Sequence, residues 1–163
     1  MRLLLLTFFS LILAFSILFT NTQADNSIAV HPQNRLTEIS GEELMYVLEG
    51  RAEVIQGVET KIVIVLYGKD SILLDSVVRE ISVLPPHLLK RKIEEKIARG
   101  QLEQVDVKQT IMETYREVMA DKNAIAFSNA DTEGLADIIG LKIIPIVINL
   151  SLIHISEPTR LGF

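Results

Sequence analysis

The chain has 163 residues, 48% of them hydrophobic and 23% charged, with a formal net charge of −5 at pH 7 and no cysteine. The missing cysteine excludes disulfides, thiolate metal sites and lipid attachment through an N-terminal Cys, and the acidic balance argues against nucleic acid as a partner. Arg2 gives a positive start, residues 3–19 an apolar run, and Thr22, Gln23 and Ala24 a small-residue exit. That is the arrangement of a secretory signal peptide cleaved after Ala24. Because the run approaches the ~20 residues that span a bilayer, a membrane anchor is the competing reading. The polar Asp25, Asn26 and Ser27 behind the run favour cleavage.

At the other end, residues 150–160 read LSLIHISEPTR. A common transposase-based sequencing adapter translates to this string in one frame, so residues 150–163 are expected to be foreign to the natural chain. A genuine polar tail is the alternative. Setting aside Arg2, Arg160 and Glu157 leaves the remainder one unit more acidic. Residues 25–149 then make one domain with a modest core.

Ser27 to Val30 is a short apolar strand stopped by His31-Pro32, since a residue before proline is pushed to extended geometry. Ser40, Gly41, Glu42 and Glu43 have the form of a capping box, and Leu44, Val47 and Leu48 follow at helical spacing until Gly50. Residues 61–67, KIVIVLY, form a nearly unbroken β-branched run, as in a strand buried on both faces at the centre of a sheet. After Gly68, a helix begins at Asp70 or Ser71 and carries the stripe Leu74, Val77, Val78, Ile81 and Leu84 up to Pro85-Pro86. A third helix runs from Pro86 to Gly100 with Leu89, Ile93 and Ile97 on one face. Its Lys90, Arg91, Lys92, Glu94, Glu95 and Lys96 read as a solvated surface. A fourth helix is expected from about Val107, burying Ile111, Tyr115, Val118 and Met119 and ending at Lys122-Asn123. Residues 124–127 read as a strand. Residues 142–148 form a last extended run in which Pro145 implies an edge or a bulge. Strands alternating with helices predict an α/β fold with a mixed or parallel sheet flanked by helices.

Four stretches in this order carry a resemblance to a known family: IAVHPQNRLTEISGEELMYVLEGR (28–51), IVIVLYGKDSILLDSVV (62–78), VMADKNAIAF (118–127) and KIIPI (142–146). Together the chain resembles the periplasmic phosphate-binding proteins of ABC transporters, in a short form corresponding to about one lobe of a type II periplasmic binding protein. The resemblance implies an exported, periplasmic solute-binding-like protein for phosphate or a related oxyanion, with a membrane transporter as its partner. An envelope protein-interaction or accessory module that has lost ligand binding is the alternative. The sequence departs from the family at the binding loop. Tyr67 stands where an Arg is expected, and Ile72 and Leu73 replace the Gly and Thr after Ser71.

The candidate oxyanion site is Lys69, Asp70 and Ser71. A helix N-terminus leaves backbone N–H groups unpaired at the positive end of the macrodipole, and an ammonium and a hydroxyl beside it suit an anion. A carboxylate at Asp70 opposes an anion unless it accepts a proton from it. The competing reading is that Asp70 or Ser71 simply caps the helix. His31 and His87 each stand next to a proline, without partners at metal-ligand spacing. The sequence contains no Gly-x-Ser-x-Gly, no phosphate loop ending in Lys-Ser/Thr and no His-Glu-x-x-His. No enzymatic activity, metal or cofactor is therefore expected.

Overall fold

The computed structural model describes residues 26–148, so the expected signal peptide and the expected foreign tail lie outside the described residues. Among the described residues eight strands and five α-helices follow one another in this order: β1 (Ser27–Val30), β2 (Ile39–Ser40), α1 (Gly41–Leu48), β3 (Val54–Ile55), β4 (Val58–Glu59), β5 (Lys61–Val65), α2 (Ile72–Ile81), α3 (Pro86–Ala98), β6 (Val105–Lys108), α4 (Ile111–Ala120), β7 (Ala124–Ser128), α5 (Ala130–Ile139) and β8 (Lys142–Val147). A single 3₁₀ turn, Lys69–Ser71, leads into α2. Six strands form one mixed sheet in the order β2-β8-β1-β7-β5-β6, while β3 and β4 make a separate hairpin. Within the large sheet only β1 runs against its neighbours β7 and β8; the other pairings are parallel.

Alternation along the strands sorts the core into two layers. Ile28, Val30, Ile62, Ile64, Ile125 and Phe127 point to the side that buries α1, α2 and α3. Ala29, Val63, Ala124 and Ala126 point to the side that buries Tyr115 and Val118 of α4 and Ala136 of α5. The capping box of α1 is present in full: Glu43 N–H donates to Ser40 Oγ, and the Glu43 carboxylate accepts from Ser40 N–H.

Several expectations need correction. Residues 61–65 are flanked on both sides, but β5 is next to last in the sheet, whose middle is β1 and β7. No helix starts at Val107: Val105 to Lys108 alternates apolar and charged residues with period two and pairs with β5, and the helix begins at Ile111 behind a Thr110 cap. Pro145 does not place β8 at an edge, since β8 lies between β1 and β2. Its pairing with β2 nevertheless begins only at Ile146, after the proline, so the residue that lacks an N–H precedes that ladder. Helix α5 comes from a stretch in which no element had been expected.

Candidate functional site

Helices α2, α4 and α5 each follow directly on a parallel strand, so their N-termini gather at the carboxyl edge of the sheet. In open α/β sheets this edge is where ligands bind. The loop after β5 turns there on Gly68, whose φ of 86° and ψ of −172° fall in a region open essentially to glycine alone.

The three predicted residues are adjacent but do different work. Lys69 is exposed. Asp70 does not cap its own helix; its Oδ2 accepts from Ile111 N–H at 2.9 Å and so closes the start of α4. Ser71 donates from Oγ to the Gly68 carbonyl at 2.9 Å and makes no side-chain cap bond to α2. Ser71 therefore takes the N-cap position expected of it without a side-chain cap bond, and Asp70 caps α4 rather than α2.

A further cation completes this corner. Lys90 of α3 was expected in solvent, yet it is 8% exposed. Its Nζ donates to Ser71 Oγ at 3.2 Å, lies 2.6 Å from Asp75 Oδ1 and sits 5.9 Å from the centre of the Tyr67 ring. The Asp75 contact is an ion pair by distance, although it is not aligned as a hydrogen bond. A buried ammonium needs such a partner, because an unpaired charge is costly away from water. The sequence did hold a signal for Lys90. Pro86, Lys90 and Ile93 recur at helical spacing, which places the lysine on the inward stripe, while Ile97, expected on the same face, is exposed at its end. Ser71 and Asp75, four apart, share one face of their helix in the same way.

Tyr67, at the position where the resembled family carries an Arg, is 56% exposed and donates from its hydroxyl to Glu94 Oε2 at 2.7 Å. That hydrogen bond to a carboxylate holds the phenol above its ordinary pKa. The corner therefore offers two ammonium groups, a hydroxyl and a phenol, interleaved with Asp70, Asp75 and Glu94. It can present N–H and O–H donors to an oxyanion, and an anion entering it would compete with Asp75 for Lys90.

The two histidines have local roles: His31 Nδ1 accepts from Gln33 N–H at 3.1 Å, and His87 is exposed in the first turn of α3. Among the described residues no group of three His, Cys, Asp or Glu side chains could hold a metal ion. No helix among them is long and apolar enough to cross a membrane.

No family model matches the chain, and no curated protein matches it in sequence. Among solved structures, PstS from Borrelia burgdorferi is similar, with a TM-score of 0.53 and 13% identity over 77% of this chain and 47% of that one. A putative phosphate ABC transporter substrate-binding protein with bound phosphate from Clostridium perfringens is similar with a TM-score of 0.50 and 8% identity, over 76% of this chain and 44% of that one. The fold is that of one lobe of a periplasmic binding protein. At such identities the likeness concerns fold, and the chain spans less than half the length of these structures.

Proposed function

We propose that the chain is an exported, solute-binding-like protein that holds phosphate or a related oxyanion at the corner formed by Lys69, Asp70, Ser71 and Lys90, for delivery to a membrane transporter. The observation that carries this reading is Lys90 Nζ, brought to 3.2 Å from Ser71 Oγ at the start of α2. It supplies the buried cation that the loop sequence lacks once Tyr67 replaces the expected Arg. The likeness to solved phosphate-transport proteins supports the ligand class, and the N-terminal sequence supports export to the periplasm with cleavage after Ala24.

Calorimetric titration of the full chain with phosphate at low salt, with sulfate as the control anion, tests the site. Saturable phosphate binding is expected, weakened at least tenfold in a Lys69→Ala, Ser71→Ala variant. A folded protein that gives no phosphate signal overturns the reading. One observation favours a second function, an envelope interaction module without a ligand: Asp70, Ser71 and Lys90 are already bonded within the protein. Silence toward phosphate together with recovery of a stable envelope complex would select it.

A further inference from the structure

Where β1 begins and β8 ends, the carboxyl edge of the sheet holds a cleft of about 470 Å³. Asn26, Ser27 at the start of β1 and Ile143 to Ile146 along β8 line it, together with Glu80 of α2 and Glu133 of α5. No basic side chain is among its lining residues, and among the described residues neither glutamate is in an ion pair. Glu133 Oε1 accepts from Ser27 Oγ at 3.2 Å. Glutamates at helix ends are ordinary surface charge, and by themselves they indicate nothing. Asn26 changes that. It is 7% exposed, and among the described residues neither its amide nitrogen nor its amide oxygen has a hydrogen-bond partner. A buried amide left wholly unpaired costs free energy that native proteins ordinarily avoid.

We propose that this cleft binds a primary ammonium or guanidinium group carried on an aliphatic chain. Glu80 and Glu133 supply the counter-charge, the Asn26 side-chain carbonyl accepts an N–H, and Ile146 packs against the methylenes. An anion is repelled by the two carboxylates. A bare metal ion lacks ligands, because no group of three ligating side chains is assembled among the described residues. The ammonium has two conceivable sources: a separate amine, or the chain's own α-amine, which cleavage after Ala24 would create on Asp25, the residue next to Asn26. The site is distinct from the Lys90 corner and stands or falls apart from it.

The full chain is titrated calorimetrically with n-butylammonium chloride, with n-butanol as the uncharged control and potassium chloride for ionic strength. Saturable binding of n-butylammonium alone is expected, weakened at least tenfold in a Glu80→Gln, Glu133→Gln variant whose thermal midpoint matches the parent. Absence of saturable binding, or binding undiminished in that variant, overturns the proposal. A second arm locates the source by comparing chain cut after Ala24 with the same chain acetylated at its new terminus. Binding by the acetylated form alone supports the chain's own amine as the occupant, and binding by both supports a separate one.

Discussion

On the side of the sheet that carries α1, α2 and α3, isoleucines, valines and leucines interlock across a broad aliphatic layer that includes Ile62, Ile64, Leu74 and Ile93. On the side that carries α4 and α5, the strands present Ala29, Ala124 and Ala126, and the space they leave is filled by Tyr115 and Val118. The first side is held by apolar volume. The second adds polar anchoring: the Tyr115 hydroxyl lies 3.2 Å from the Phe127 carbonyl and 3.1 Å from Thr132 Oγ1, and Ser128 and Thr132 share a hydrogen bond of 3.1 Å. Burial raises the Tyr115 phenol above its ordinary pKa, as expected of a hydroxyl kept neutral inside. The site corner belongs to the aliphatic side, where Lys90, the one buried cation among the described residues, is the exception.

Opposite substitutions test the contrast most strongly. Leu74→Ala removes volume from a fully buried position and should destabilise by about 2–5 kcal/mol. Ala126→Leu adds volume where the strand lies close to the helices and should cost about 1–3 kcal/mol. Both are read from the urea midpoint. A neutral Ala126→Leu would mean that the alanine side is loosely filled, and the contrast would collapse.

Tyr115→Phe is the sharper and smaller test. It keeps the ring and deletes the hydroxyl, so its expected cost is roughly 0.5–1.5 kcal/mol, the net worth of an ordinary hydrogen bond. Urea unfolding of the variant checks it. A loss as large as that of Leu74→Ala would make the hydroxyl a keystone of α5, and no loss would reduce Tyr115 to filler.

The same contrast explains what the sequence disclosed. Elements on the aliphatic side were legible because their residues are uniform in type: KIVIV for β5, the Leu44, Val47, Leu48 stripe with its capping box for α1, and the Leu74, Val77, Val78 stripe for α2. Helix α5 was not. It buries only Ala136 strongly, contains Gly134 and owes its start to Asn129, which accepts from Asp131 N–H and Thr132 N–H, a local cap followed by a short face of Leu135, Ala136 and Ile139 confined to its last turns. Strand β6 was hidden because Asp106 and Lys108 dilute its apolar pattern. At the candidate site the loop was legible from the Gly68 turn and the helix after it. The inward Lys90 was masked by the charges around it, and the role of Asp70 depends on Ile111, which is near only in the folded chain.

Those charges on β6 lead to the smallest expected effect. Lys61 Nζ lies 3.1 Å from both Asp106 and Glu117, and Lys108 Nζ lies 3.0 Å from Asp106 and 3.5 Å from Glu117, so four side chains link β5 and β6 to α4. Burial pulls against charging Lys61, but its bonds to Glu117 and Asp106 prevail and raise its pKa; Lys108 is raised chiefly by Asp106. Asp106 is lowered because the bonds from Lys108 and Lys61 outweigh its burial, and Glu117 is lowered chiefly by Lys61. For the two carboxylates, a lowered folded pKa means stability present above their ordinary values near ~4 and lost as pH falls through the folded ones. For the two lysines, a raised folded pKa means stability present below their ordinary value near ~10.4 and lost as pH rises through the folded one. The network should therefore contribute fully across the neutral range and fade at both extremes. Since all four side chains remain partly exposed, each pair is worth on the order of 0.2–1 kcal/mol and less in high salt. Glu117→Gln should lower the urea midpoint at pH 7 by that small amount and flatten its fall between neutral pH and pH 3 relative to the parent. An unchanged acid limb would show that the four charges are solvent-screened decoration, and that α4 is held by its apolar face, Tyr115 and Val118 foremost, and by the Asp70 bond to Ile111 at its start.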